Sequence, residues 1–125
     1  MRAGDTFRLV DDTLDEHLWV VLSDPGACHD DVVIVNLTTY DKRKDCTCIL
    51  EPGDHCFIRH RTIANYRDAR AVRRSHLEQL VESAQLIPQD PLKPEVLSRI
   101  REGAAGSRFT PEGCRKVLAQ QGLVE

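Results

Sequence analysis

Apolar residues fall in short blocks along the first half of the chain and at helical spacings along the second. Asp5–Val10 alternates weakly and stops at Asp11-Asp12. His17–Ser23 carries the run Leu18-Trp19-Val20-Val21-Leu22, closed by the turn-forming Asp24-Pro25-Gly26. Val32–Thr39 repeats the theme with β-branched Val32, Val33, Ile34 and Val35, and Cys46–Leu50 forms a fourth run before Glu51-Pro52-Gly53-Asp54. Phe57-Ile58 and Thr62-Ile63 supply a short fifth strand. Continuous apolar runs in consecutive short strands predict a small closed or strongly curved sheet, buried on its inner face and partly covered outside.

The period changes at about Asp68. Val72, Leu77, Leu80, Val81 and Ala84 recur three and four residues apart and predict a helix that ends before Pro88. A second helix fits Pro94–Ala104, with Val96, Leu97 and Ile100 on one side. A third begins at Thr110 as N-cap with Pro111 in the first helical position, and Gly122 follows its end. The fold class expected is α+β: a small SH3-like β-barrel of about five strands over residues 1–66, then a helical extension over 67–125 packed on it as one domain.

With 41% hydrophobic and 30% charged residues the chain can bury a core and is not compositionally disordered. No apolar run is long enough to span a bilayer, and Met1-Arg2-Ala3-Gly4-Asp5 lacks a secretory signal's apolar stretch, so no membrane partner is expected. Five cysteines, an odd number, favour a reducing cytoplasm. The net charge of −3 hides an asymmetry. Residues 1–56 hold 12 acids and 5 bases, whereas 57–76 hold six arginines (Arg59, Arg61, Arg67, Arg70, Arg73, Arg74) against Asp68 alone. That segment is where an anionic partner is to be sought.

Gly4-Asp5-Thr6-Phe7, then His17-Leu18-Trp19-Val20-Val21-Leu22-Ser23-Asp24-Pro25, then Val33-Ile34-Val35-Asn36-Leu37-Thr38-Thr39 together resemble the MazF/PemK toxins. Those proteins open with a Gly-Asp-x-hydrophobic strand, continue with Arg-Pro-hydrophobic-Val-Leu-Ser, and place a Thr or Ser pair after the next apolar strand. The resemblance extends through Thr39, and beyond it only in the order of elements. It implies an SH3-like barrel carrying helices, dimeric and cytoplasmic, acting as a metal-independent endoribonuclease toxin with RNA as substrate, no cofactor, and an acidic antitoxin-like partner. It also implies that the Thr/Ser position is Thr38 or Thr39. The family's Arg falls on His17, its Pro on Leu18, and its Gly-rich loop is replaced by Asp11-Asp12-Thr13-Leu14-Asp15-Glu16. An imidazole suits acid–base work on a ribose hydroxyl, but it lacks a guanidinium's permanent charge and two-pronged grip on phosphate. The acidic loop ahead of His17 opposes RNA. His17, Thr38 and Thr39 are thus the catalytic candidates, each with a plainer alternative as a strand-end residue satisfying nearby backbone.

For RNA contact the candidates are Arg59, Arg61, Tyr66 and Arg67. Alternation in an extended segment sets Arg59 and Arg61 on one face and Ile58 and His60 on the other, with Tyr66 available to stack a base. Arg67, Arg70 and Arg74 form one stripe if they lie on a helix, a landing place for an acidic tail. The plainer alternative pairs these arginines with the acid-rich first half. A noncatalytic SH3-like barrel, binding a protein or nucleic acid through this segment, is the second functional reading, supported by the missing Arg-Pro pair. No metal is expected; the zinc alternative is Cys46, Cys48, His55 and Cys56, with Cys46 and Cys48 on one side of a strand and the turn at Pro52-Gly53 folding the others back. Cys-x-Cys lacks the knuckle spacing of structural zinc sites. Cys56 and His60, four apart, lack a nearby orienting acid for nucleophilic catalysis.

Overall fold

The computed structural model describes residues 1–10, 17–26 and 30–123. The loop at 11–16, named above, lies outside them.

Among the described residues six strands make one antiparallel, curled sheet, a half-barrel, and three helices pack on it. The strands are β1 (Thr6–Leu9), β2 (Leu18–Val21), β3 (Asp31–Thr39), β4 (Ile49–Leu50), β5 (Thr62–Arg73) and β6 (Leu86–Gln89). They lie in the order β4-β5-β3-β2-β1-β6. The helices are α1 (Arg74–Glu82), α2 (Pro94–Gly106) and α3 (Glu112–Gln120). None of the helices among the described residues is long and apolar enough to cross a membrane.

The unbroken apolar runs follow from burial on two sides. Leu18, Val20, Leu22, Val33, Val35 and Leu37 face the larger core, which α2 completes with Val96, Leu97 and Ile100 and α3 with Cys114, Val117 and Leu118. Their alternates, Trp19, Val21, Val32 and Ile34, face a second cluster with Phe7, Leu86 and Leu77 of α1. Side chains alternate along a strand, so a sheet covered on both faces needs apolar residues at every position. Each fully buried Leu, Val or Ile contributes about 1.5–3 kcal/mol relative to exposure.

Several expectations are corrected. The described residues hold six strands rather than five, because Leu86-Ile87-Pro88-Gln89 pairs with β1 (Phe7 opposite Pro88). Pro88 has no N–H to give, which an edge strand tolerates. The helix expected from Asp68 begins at Arg74, since residues 68–73 continue β5. Between the pairs Ile34↔Arg70 and Asn36↔Asn65 the ladder passes over Val35 on one strand and residues 66–69 on the other. Such a bulge breaks the two-residue period and bends the strand. The boundary expected at 66/67 therefore falls inside a single strand. Thr110 does not cap α3; its hydroxyl donates to the Ala104 carbonyl (2.8 Å), and Pro111 is the capping residue. The strand expected over Cys46–Leu50 is reduced to Ile49–Leu50.

Candidate nucleic-acid groove

Antiparallel pairing decides which chain ends meet. Leu18 stands opposite Leu37, so the residue entering β2, His17, lies beside the end of β3. Thr39 stands opposite Thr62, so the segment entering β5 passes the same end from the other side. Between them is a groove of about 450 Å³ whose polar lining among the described residues is His17, Thr38, Thr39, Lys44, Arg59, His60 and Thr62. Its apolar lining includes Leu18, Leu37 and the half-buried ring of Phe57. No carboxylate is among the described lining residues.

His17 Nδ1–H donates to the Leu37 carbonyl (3.1 Å), so in the neutral ring the hydrogen is on Nδ1 and Nε2 is the basic nitrogen. On the other side, a hydrogen bond of 3.0 Å joins His60 Nε2 and Thr39 Oγ1. The Thr62 hydroxyl donates to the His60 carbonyl (2.9 Å), and the Tyr40 amide donates to the carbonyl of Arg61 (3.0 Å), so this turn is held at consecutive residues. Arg59 is exposed and has no ion-pair partner among the described residues. In the 41–44 turn, Arg43 forks onto the Asp41 carboxylate (3.1 and 2.9 Å). That fork, with the Arg43 amide, lowers the Asp41 pKa to about 2. Arg43 is thereby committed to Asp41, and Lys44 is the basic residue of the turn that lines the groove.

Four sequence candidates, His17, Thr38, Thr39 and Arg59, share this groove; the others do not. Residues 57–61 are turn and irregular backbone, so Arg59 and Arg61 do not share the face of an extended segment. Arg61 turns to Glu51 (2.6 Å) and lies over the Tyr40 ring (5.4 Å). Tyr66 is wholly buried, its hydroxyl donating to the Ile100 carbonyl (2.7 Å), and it has no face for a base. Burial first, then the Cys48 thiol beside it, holds its pKa well above the ordinary phenol value. Arg67 is on β5 rather than a helix and stacks on Phe109 at 4.2 Å. Arg70 lies over Trp19 (5.5 Å), and Arg74 pairs with Asp30 (3.6 Å).

The zinc candidates have separate surroundings. Cys46 donates to the carbonyls of Asp41 and Lys44, and Cys48 is buried against Tyr66. Cys56 donates to the Asp90 carboxylate (3.3 Å). Buried His55 uses both nitrogens: Nδ1 accepts from the Phe57 amide (3.0 Å) and Nε2–H donates to the Asp90 carbonyl (2.5 Å). Among the described residues no three His, Cys, Asp or Glu side chains are grouped to hold a metal ion.

Sequence reasoning did not place Lys44 or His60 in the groove. Lys44 sits in the basic triplet Lys42-Arg43-Lys44, a signal that was present in the chain. His60 was assigned by alternation to the face away from Arg59, and only the turn conformation turns it into the groove. Comparison with models of known protein families and with the curated proteins gives no match for this chain.

Proposed function

We propose that the chain is a MazF/PemK-like RNA-binding protein that cleaves RNA without a metal, in the groove at the shared end of β2, β3 and β5. The carrying observation is that His17, Thr38 and Thr39 meet two cations, Arg59 and Lys44, with no carboxylate among the described lining residues. Single-stranded RNA offers a phosphate to the cations and a base face to an aromatic ring, and Phe57 is the aromatic residue lining the groove. In the reaction the ribose 2′-oxygen attacks the adjacent phosphorus. His17 Nε2 takes the 2′-hydroxyl proton, Arg59 and Lys44 stabilise the added negative charge on the phosphoryl oxygens, and the Thr38 or Thr39 hydroxyl donates to one of them.

A second reading is favoured by the exposed arginines Arg67, Arg70 and Arg73 along β5, two of which rest on aromatic rings rather than on acids. That strip suits an acidic protein, the antitoxin-like partner of a toxin pair, whether or not the groove cleaves RNA.

The test is a mixed RNA pool incubated with purified protein in the presence of a chelator. Fragments are expected, and His17→Ala and Arg59→Ala should each slow their formation by about 10²-fold or more. No fragments, or fragments unchanged in both variants, overturn the assignment. Growth arrest on expression, relieved by a co-expressed acidic partner, separates toxin from passive binder.

A further inference from the structure

Resting on the nuclease assignment above, we propose that His60 is the general acid of the reaction, protonating the departing 5′-oxygen. In-line attack places the 2′-oxygen and the leaving oxygen on opposite sides of phosphorus, so base and acid must approach from opposite sides. The sheet order β5-β3-β2 provides this: His17 precedes β2, His60 lies just before β5, and the threonine-bearing end of β3 is between them. Two strand spacings separate the flanking backbones by about 10 Å, a gap that two imidazoles and a phosphodiester fill.

Elimination among the lining groups agrees. As side-chain types, a guanidinium does not release a proton in a protein, a hydroxyl is too weak an acid, and an ammonium is a poorer proton donor than an imidazolium near neutral pH. His60 is also oriented for the task, its Nε2 bonded to Thr39 Oγ1 (3.0 Å) and its carbonyl held by the Thr62 hydroxyl (2.9 Å). The ring nitrogen not bonded to Thr39 is Nδ1, and it is the proton donor. His60 enters as imidazolium. The O2′–P bond forms as His17 Nε2 takes the 2′-hydroxyl proton; the P–O5′ bond breaks, its electron pair stays on O5′, and O5′ takes the proton from His60. One strand ends in a 2′,3′-cyclic phosphodiester and the other begins with a 5′-hydroxyl, with no net proton, oxidant or metal consumed.

The experiment compares an RNA oligonucleotide with the same sequence carrying a sulfur in place of O5′ at the cut linkage, since a thiolate leaves without being protonated. His60→Ala and His60→Gln should each cut the ordinary linkage about 10²–10⁴-fold more slowly than wild type. Both should cut the sulfur linkage within about tenfold of wild type, whereas His17→Ala stays slow on both. Equal slowing of the His60 variants on the two linkages, or wild-type rates on the ordinary one, overturns the role of His60 and leaves the nuclease assignment intact. A wild-type protein that cuts neither linkage overturns both. Because His60 is exposed, unchanged melting temperatures of both variants exclude misfolding as the cause.

Discussion

Substituting Gly103 by alanine tests how tightly Tyr66 is locked in the core. Gly103 is buried in α2, and an added Cβ would lie 2.9 Å from Tyr66 Cζ, 3.0 Å from Cys48 Cβ, and in collision with the Tyr66 hydroxyl. That hydroxyl is already anchored to the carbonyl of Ile100 in the same helix (2.7 Å), so the ring tip has no open direction. Alanine in a helix interior gains about 1 kcal/mol over glycine. Against this stand about 1–3 kcal/mol for overpacking and about 1–3 kcal/mol for displacing a buried hydroxyl from its acceptor. The net expectation is a loss of about 1–5 kcal/mol, read as a lower urea midpoint at unchanged slope and a melting temperature down by about 4–20 °C. Gly113→Ala in α3 is the internal control: nothing lies within 4 Å of its Cβ, so the substitution should be neutral or slightly stabilising. Tyr66→Phe removes one side of the collision, so Gly103→Ala should cost at least about 1 kcal/mol less in that background. A Gly103→Ala protein as stable as wild type would show that the Tyr66 tip is not packed, and would reopen its use as a stacking surface.

Arg59→Ala and Lys44→Ala should each weaken binding to a non-cleavable 2′-O-methyl RNA and lower the salt slope by about 0.7. Arg61→Ala, whose side chain is committed to Glu51, should leave affinity and slope unchanged and shift stability by less than about 1 kcal/mol. Burial raises the Asp54 carboxyl, but the Arg99 fork, the Glu51 amide and Lys93 outweigh it and leave its pKa below the ordinary value. A depressed pKa stabilises the fold at neutral pH, an effect lost as pH falls through the folded value. Asp54→Asn should therefore melt lower than wild type at pH 7 and lose less on acidification below about pH 4, measured by thermal melts across pH. His55→Ala strips partners from the Phe57 amide and the Asp90 carbonyl and should cost about 2–4 kcal/mol, and added zinc should not restore the melting temperature.

The central strands were legible because β2 and β3 are covered on both sides, and a fully buried strand is written as an unbroken apolar run. The start of α2 was legible for a local reason, Pro94 in the first turn followed by Val96, Leu97 and Ile100. What misled was β5. Arg67, Arg70 and Arg74 stand three and four apart, a helical spacing, yet Arg67 and Arg70 lie on β5 around its register break and only Arg74 opens α1. Tyr66 lies inside that break, so neither period predicts that its side chain enters the core. In the groove, His17, Thr38 and Thr39 were named through the resemblance of their strand motifs to the MazF/PemK toxins, and antiparallel pairing of β2 and β3 brings these strand ends together. His60 was assigned the wrong side because residues 57–61 form a turn rather than an extended segment, and its ring is held by Thr39, 21 residues away in the chain.

The most direct measurement uses one RNA oligonucleotide and its twin carrying a single 2′-deoxyribose at the cut position, each incubated with the protein in chelator, with product ends weighed by mass spectrometry. Attack by the ribose 2′-oxygen predicts cleavage of the all-ribose strand to a 2′,3′-cyclic phosphate and a 5′-hydroxyl, and an intact deoxy linkage. Cleavage of the deoxy linkage, or two intact strands under conditions where the RNA is bound, would contradict it.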